Sequence, residues 1–328
     1  MRPYRSGVSA PSRWLVLANL WIVYLVWGST YLAIRVAVET TPPFLGAGVR
    51  FTIAGLILAA YLLVRGRLDR ASIGPRQLIA SAIVGVLLLL GGNGLVMLAE
   101  QTVSSGLAAL IIASTPLWIV LLRVADRQRI SRTTLASVLV GFVGVALLVL
   151  PHIGGADAAL GGVVILIVAS ISWVVGSFWS PRLPLPRDAL TATMLQQLLG
   201  GLVLTAAAFV VGDVSRFQPS QVSSASAVAL GYLVVFGSLA AFSAYTWLLH
   251  HAPLSTVSTY AYVNPVIAVL LGWAILSEEL SPSIVVGTVV IVASVAIVVR
   301  QESLSRGSER APAPATAGRS APGDVPGP

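Results

Sequence analysis

Long apolar stretches separated by short polar connections dominate this chain of 328 residues. Because a helix needs about 20 apolar residues to cross a bilayer, ten stretches qualify as spanning helices. They cover residues 15–36, 44–64, 78–99, 104–123, 134–150, 161–179, 190–211, 225–249, 254–276 and 283–299. The first is too long for a signal peptide and has no clear cleavage site. The pattern therefore predicts an all-α polytopic membrane protein with ten transmembrane helices.

One order of features occurs twice along the chain. A small and polar run, a proline, an apolar run and a polar or acidic turn occupy 105–131 and again 254–281, with Pro116 aligned on Pro265. This repetition indicates one half-molecule used twice. Residues 301–328 are rich in Pro, Ala, Gly and Ser, which predicts disorder. We therefore predict an N-terminal tail over 1–13, a first five-helix repeat over 14–150, a second over 151–300 and a disordered tail over 301–328.

Arginine placement predicts how the chain is oriented. The termini and the connections on the same side of the membrane as the N-terminus hold 17 of the 20 arginines. The connections on the opposite side hold Arg216 alone. Positive residues accumulate on the cytoplasmic side of a membrane. Both termini and three connections are therefore predicted to be cytoplasmic, namely 65–77, 124–133 and 180–189. Because five is an odd number, the second repeat must run inverted to the first, which is typical of transporters with a site near the midplane.

Composition excludes several other classes of protein. Hydrophobic residues make up 56% of the chain and charged residues 10%, against roughly 25% charged in a soluble domain. The net charge of +8 does not predict nucleic-acid binding, because the arginines form no continuous stripe. The absence of cysteine and lysine excludes thiolate, Schiff-base and Walker-type phosphate chemistry. With no metal motif or nucleophilic triad visible either, we expect no cofactor, no metal and no enzymatic activity.

Four segments carry a resemblance to a known family. They are WGSTYLAIRVAVETTPPFLGAGVRF at 27–51, GNGLVMLAEQTVSSGLAAL at 92–110, SISWVVGSFWSPRLPLP at 170–186 and STYAYVNPVIAVLLG at 258–272. In these segments the chain resembles the ten-helix EamA members of the drug/metabolite transporter superfamily, within the YedA-type branch. The resemblance covers about residues 15–300. It implies a basket of eight helices around a central cavity and the export or exchange of small metabolites.

The resemblance has one departure. Family members often follow the fourth helix of each repeat with a glycine–glutamate turn. Glu278 matches this pattern in the second repeat, whereas Gln128 stands there in the first. A role that requires an acid in both repeats is therefore not expected here.

Arg50 is the most informative single residue. It lies within the second apolar stretch, and an arginine inside a membrane helix is a functional candidate by default. Snorkelling to the headgroups or a structural pair with Glu100 are the alternatives. We hypothesise that Arg50 binds an anionic group of the substrate or closes an outer gate onto Glu100, which itself could carry a proton or cap a loop. Gln196 is its counterpart in the inverted repeat.

Polar and aromatic residues inside the apolar stretches are the remaining site candidates. Trp27 and Trp173 lie well inside their stretches next to small polar residues, unlike the aromatic anchors of helix ends. Tyr260 and Asn264 are four residues apart and share a helix face. The full predicted set of cavity residues is Trp27, Ser29, Thr30, Arg50, Asn93, Trp173, Gln196, Tyr260 and Asn264. Singly, such polar groups more often join helices than bind a ligand.

The two aligned prolines have a predicted structural role. Each removes a backbone donor and exposes the carbonyl four residues earlier, at Ile112 for Pro116 and at Ala261 for Pro265. Such carbonyls are tolerated in a membrane where a cavity, water or neighbouring group satisfies them. The prolines therefore predict either a cavity wall or plain packing kinks.

Taken together, these features predict a secondary transporter in the cytoplasmic membrane. It would move a small organic metabolite by alternating access, as an exporter or exchanger. A membrane scaffold or sensor without flux is the alternative, and a membrane-embedded enzyme is a third hypothesis. The predicted partners are the metabolite and the lipid bilayer, without nucleic acid, and a homodimer is compatible with this interpretation.

Overall fold

The protein is described here by a computed structural model over residues 12–68, 73–128, 130–149 and 157–309. Every regular element within these residues is helical, which confirms the predicted all-α class. We label the ten long helices α1 (Arg13–Ala37), α2 (Pro43–Val64), α3 (Pro75–Ala99), α4 (Ser105–Ala125), α5 (Arg132–Val149), α6 (Asp157–Trp179), α7 (Ala189–Val210), α8 (Ser224–His251), α9 (Tyr260–Leu276) and α10 (Pro282–Glu309).

Not every helix meets the length and hydropathy of a membrane span. Seven do within the described residues, and they correspond to α1–α4 and α6–α8. Shorter apolar helices of 10–17 residues make up the rest, at Arg132–Leu147, Val263–Leu276 and Pro282–Ile297. The structure therefore shows a polytopic helical architecture, and the count of ten crossings stays a prediction.

The last helix extends beyond its predicted end. α10 continues to Glu309, well into the segment 301–328 that was predicted to be disordered. Residues 301–309 contain no proline, and the first proline after Pro282 is Pro312. Because no proline interrupts the backbone hydrogen bonds there, the helix continues. Residues 310–328 and 1–11 lie outside the described residues.

Two helices change their winding near their centres, at corresponding places in the two repeats. α3 contains a π-helical segment at Val86–Gly94, and α8 contains one at Leu233–Phe242. π-Helical turns are rare and are frequent at functional sites. Their recurrence in the third helix of each repeat supports the repeated architecture.

The fourth helix of each repeat is interrupted, but the interruptions differ. α4 is divided into Ser105–Ile112 and Thr115–Ala125, so Pro116 lies in the first turn of a new helical segment. Proline is tolerated there because the amide it lacks would have no helical partner. α9 follows a single turn at Leu254–Val257 and holds Pro265 in its interior. The expectation that both prolines lie mid-helix is therefore correct for Pro265 and wrong for Pro116.

Helix packing follows a two-fold pattern. The most extensive contacts join α2 to α7 and α5 to α10, each helix meeting its own counterpart in the other repeat. Packing of α1 on α9 is likewise matched by packing of α6 on α4. Two inverted repeats related by a pseudo-twofold axis produce this exchange of partners.

The α2–α7 crossing depends on close backbone approach. A Cβ atom at Gly48 would lie 2.8 Å from the backbone nitrogen of Thr205, and one at Gly201 would lie 2.6 Å from that of Thr52. No larger residue fits at either position without moving the partner backbone. Small residues commonly bring membrane helices together in this way.

Candidate functional site

A cavity lies where α1, α3, α4, α6 and α9 meet, so both repeats contribute to its wall. Its empty volume is about 500 Å³, including the space at its opening. The wall consists of Trp27, Thr30, Tyr31, Ile34, Gly92, Asn93, Val96, Ile112, Ala169, Trp173 and Tyr260. It is largely apolar and aromatic with a few polar groups, which is typical of a small-molecule site.

One face of α1 provides the longest part of the wall. Trp27, Thr30, Tyr31 and Ile34 are spaced i, i+3, i+4 and i+7, so they form a continuous stripe. Sequence reasoning identified Trp27 and Thr30 but missed Tyr31 and Ile34. Continuing the helical period from Trp27 would have found both. The apolar Val96, Ile112 and Ala169 carry no comparable signal.

A cluster of aromatic rings surrounds Trp27 in the cavity wall. The rings of Trp27 and Trp173 meet edge to face, with centroids 5.3 Å apart and planes at 81°. Tyr260 packs against Trp27 at 5.4 Å and 90°, and Tyr245 lies 4.9 Å from Trp27. Tyr245 is fixed by a 2.7 Å hydrogen bond between its hydroxyl and that of Ser177. Edge-to-face contacts of this kind hold aromatic rings in defined orientations.

Each of the two central tryptophans rests on a π-helical segment of the other repeat. Trp173 packs on Gly92 of α3, where an added Cβ would lie 2.7 Å from the indole ring. Trp27 lies against α8 and donates from Nε1 to the carbonyl oxygen of Gly237 at 3.4 Å. The tryptophan pair therefore forms a pseudosymmetric centre for the cavity.

Arg50 lies near the cavity but not among its lining residues. Its side chain is buried with 2% exposure, and Nε donates to the Ser238 hydroxyl at 2.8 Å. Nη1 has no hydrogen-bond partner in the described ranges. The guanidinium stacks 4.5 Å from the Phe51 ring centroid. A Cβ atom added at Gly237 would lie 2.7 Å from Nη2 of Arg50 and 3.2 Å from Cγ2 of the wall residue Thr30. The guanidinium of Arg50 therefore lies beside Thr30, one layer behind the wall.

One glutamine extends this buried polar cluster, and its neighbour in the chain is buried as well. Gln197 donates from Nε2 to the Ser238 carbonyl oxygen at 3.1 Å, and its Oε1 has no partner. Gln196, the predicted counterpart of Arg50, is 1% exposed, and its Nε2 is also without a partner. Buried polar atoms are normally paired, so each of these atoms requires an explanation.

Glu100 lies apart from Arg50 in this structure. Its side chain is fully buried, and neither carboxyl oxygen has a hydrogen-bond partner among the described residues. Arg35, not Arg50, reaches this residue: its Nη1 donates to the backbone carbonyl oxygen of Glu100 at 2.8 Å. The structure therefore does not show the hypothesised contact between Arg50 and Glu100.

The remaining predicted residues lie outside the wall. The Ser29 hydroxyl bonds to the Tyr232 hydroxyl at 2.6 Å. The buried Asn264 amide, oriented to donate, faces the carbonyl oxygens of Tyr260 and Tyr24 at 3.2 and 3.1 Å. Both side chains therefore join helices.

The carbonyl that Pro116 exposes is satisfied within its own helix. Ile112 lines the cavity, but its carbonyl oxygen accepts a hydrogen bond from the Thr115 hydroxyl. A second hydroxyl repeats the arrangement one residue earlier, since Ser114 Oγ donates to the Ile111 carbonyl oxygen at 2.6 Å. Side chains of α4 itself therefore satisfy these two carbonyl oxygens at the interruption.

The chain is similar in sequence to known membrane transporters. The model of the EamA-like transporter family matches twice, over residues 14–150 and 160–300. The uncharacterized inner membrane transporter YedA of Escherichia coli K12 is 37% identical over 264 residues, covering 80% of this chain and 83% of YedA. The uncharacterized transporter YoaV of Bacillus subtilis is 24% identical, over 84% of this chain and 94% of its own. A crystal structure of a protein with 20% identity has the same fold, with a TM-score of 0.63 over 88% of this chain and 98% of that one.

Proposed function

Because this chain belongs to the EamA-like transporter family and is a membrane transporter of the drug/metabolite type, we propose that it is a secondary transporter for a small organic metabolite. It works by alternating access in the cytoplasmic membrane, as an exporter or exchanger. The observation that carries this proposal is the cavity wall built from both repeats, with Trp27 and Trp173 at its centre.

The wall suits alternating access for a geometric reason. Trp27 and Trp173 come from opposite repeats, and each packs on a π-helical segment of the repeat to which it does not belong. A rocking movement of one repeat against the other would therefore shift each ring relative to the segment on which it packs. Inverted-repeat transporters expose a midplane site to either side by movements of this kind.

The chemistry of the wall supports a substrate class. It presents four aromatic rings, several aliphatic groups, the Asn93 amide and the Thr30 hydroxyl, and no charged side chain lies among its residues. A molecule with an apolar or aromatic body and one or two hydrogen-bonding groups fits this surface. Arg50, a buried cation behind Thr30, would offer a partner for a carboxylate on that molecule.

Exchange in vesicles tests the proposal. Purified protein is reconstituted into vesicles, which are loaded one by one with the members of a panel of aromatic, aliphatic, neutral and carboxylated metabolites. The uptake of labelled solute from outside in exchange for the unlabelled solute inside is then measured. At least one solute should exchange faster than in protein-free vesicles. Trp173→Leu should abolish that exchange, whereas Trp179→Leu, a change of the same size at a 47% exposed position near the end of α6, should preserve it.

Two results would contradict this function. One is a panel in which every solute moves at the protein-free rate. The other is exchange by Trp173→Leu at the rate of the unmodified protein, which would remove the cavity from the transport path.

A further inference from the structure

Glu100 is a buried acid without the partners that buried acids normally have. It follows α3 directly and comes one helical turn after Val96 of the cavity wall, so the two share a helix face. Its side chain has 0% exposure, and both carboxyl oxygens lack a hydrogen-bond partner within the part of the chain that the structure describes. Buried charged groups in proteins are almost always paired or hydrogen-bonded.

Two other carboxylates that follow closely after helices make the hydrogen bonds expected of a structural residue. Glu278, after α9, accepts hydrogen bonds from the backbone amides of Ser105 and Gly106 at 2.8 and 3.1 Å. Asp213, after α7, accepts one from the amide of Phe44 at 2.8 Å. Both carboxylates therefore cap helix N-termini. Glu100 makes no such bond, so capping does not account for it.

The groups that face Glu100 do not neutralise its charge. They are Arg35 and Tyr31 of α1 and Glu278 from the segment after α9. Arg35 directs Nη1 to the backbone carbonyl of Glu100 rather than to its carboxyl group. Glu278 is itself acidic and repels a negative charge at Glu100.

These surroundings favour the neutral acid. Burial raises the pKa of the Glu100 carboxyl well above its ordinary value, the charge of Glu278 raises it further, and Arg35 opposes both effects. An unpaired carboxylate away from water takes up a proton because the neutral form loses far less hydration energy.

We propose that Glu100 is a proton-binding site of this transporter, and that its protonated form holds the cavity closed at the end next to Val96. This inference rests on the proposed transport function. When this end opens, water reaches the carboxyl group, which dissociates to a carboxylate and a proton that passes to the solution on that side. The proton returns before the end closes again, so each cycle of opening can release and rebind one proton.

The direction of the pH effect follows from linkage. A carboxyl group with a higher pKa in the closed than in the open conformation stabilises the closed one at low pH. That stabilisation is lost as pH rises through the pKa of the closed state. Each unit of pKa difference changes the ratio of open to closed molecules by up to about tenfold.

A cysteine reporter measures this opening without any substrate. The chain has no cysteine, so Val96→Cys introduces a single thiol into the cavity wall beside Glu100. Its rate of reaction with a hydrophilic maleimide is measured in detergent from acidic to mildly alkaline pH. The same reaction rate is measured for Ser131→Cys, at an exposed position, and dividing by it corrects for the pH-dependent ionisation of the thiol. We expect the corrected rate to rise by several-fold or more with pH.

The same reporter is then combined with changes at Glu100. Glu100→Gln, which mimics the protonated acid, should give a low corrected rate that does not change with pH. Glu279→Gln, which removes an exposed carboxylate next to Glu278, should leave the rise intact.

Two outcomes would overturn the proton site. The first is a corrected rate at Val96→Cys that is flat with pH in the otherwise unmodified protein, a result that does not depend on how any Glu100 variant folds. The second is an unchanged rise in Glu100→Gln.

Metabolite exchange without a pH gradient is a separate readout. If exchange persists while either outcome occurs, this inference fails and the transport function stands. If the rise depends on Glu100 but no solute exchanges, the transport function fails instead.

Discussion

At the scale of single residues, the site depends on close contact between indole rings and glycines. Gly92 allows the Trp173 ring to lie directly on the π-helical segment of α3. Gly237 of α8 accepts a hydrogen bond from Trp27 at its carbonyl oxygen and makes room for Arg50, because an added Cβ would lie 2.7 Å from Nη2 of Arg50. Each glycine therefore couples the position of a site residue to the other repeat.

Gly92→Ala should reduce transport by displacing Trp173. The added methyl group would overlap the indole ring, and overpacking of this kind typically destabilises a protein by about 1–3 kcal/mol. We expect a lower thermal unfolding midpoint and a several-fold lower exchange rate. Gly161→Ala is the matched control, because nothing lies within 4 Å of its added Cβ. Equal midpoints and exchange rates in the two variants would show that the Trp173 contact has no role.

Arg50→Gln should weaken binding of carboxylated substrates. A guanidinium within a membrane helix costs about 2.5–3.5 kcal/mol at the helix centre on insertion scales, so a purely structural helix would not retain it. Its unpaired Nη1 is available to an anionic group once the wall at Thr30 moves. We expect at least about tenfold weaker competition by carboxylated solutes, equivalent to about 1.4 kcal/mol, and little change for neutral ones.

The control for this experiment is Arg67→Gln, which removes an exposed arginine outside the helices. It should leave both affinities unchanged. If Arg50→Gln also leaves expression, affinity and flux as they were, the assignment of Arg50 to the substrate path is wrong.

At the scale of helices, carboxylates from one repeat cap helices of the other. Glu278 caps the N-terminus of α4, and Asp213 caps that of α2. These bonds satisfy amides that have no partner within their own helix. Gln128, at the corresponding position of the first repeat, instead bonds to Arg123 and Asp126 within its own segment. Among the described residues, Gln128 therefore provides no counterpart to the cap that Glu278 forms.

Glu278→Ala should destabilise the protein by about 0.5–2 kcal/mol, the range measured for loss of an N-cap. Two amides of α4 lose their acceptor, so we expect a lower unfolding midpoint in detergent. Glu279→Ala removes the adjacent exposed carboxylate and should not change the midpoint. A midpoint in Glu278→Ala equal to that of Glu279→Ala would show that water replaces the cap without loss.

At the scale of the whole molecule, the two-fold exchange of helix contacts links the repeat pattern to orientation. α2 meets α7 and α5 meets α10, which requires the two repeats to be related by an axis between them. The predicted odd number of crossings in each repeat would make that axis lie in the membrane plane. The arginine bias then predicts cytoplasmic termini.

Cysteine labelling in intact cells tests this orientation. Ser131→Cys, between α4 and α5, should react with an impermeant maleimide only after the membrane is permeabilised. Ser220→Cys, between α7 and α8, should react in intact cells. Both positions are exposed in the structure, so access to each thiol depends on the side of the membrane. The reverse pattern would invert the predicted orientation.

Much of the architecture could be predicted from sequence because it depends on solvation. Apolar stretches of sufficient length must be helices in a bilayer, since each backbone group has to be satisfied internally. The repeated order around Pro116 and Pro265 also predicted two related halves, and the family match covers both. Trp27, Thr30, Asn93, Trp173 and Tyr260 were predicted to line the cavity, and the structure places them in its wall.

Only the tertiary structure decided which buried groups meet. Arg50 contacts Ser238, nearly 190 residues away in the chain, and Arg35 rather than Arg50 reaches Glu100. The π-helical segments of α3 and α8 and the cap from Glu278 to α4 also carry no local signal. Hydropathy reports how deeply a residue lies in the membrane, because it reflects transfer from water. It does not report the rotation of a helix or its neighbours, which depend on packing between segments distant in sequence.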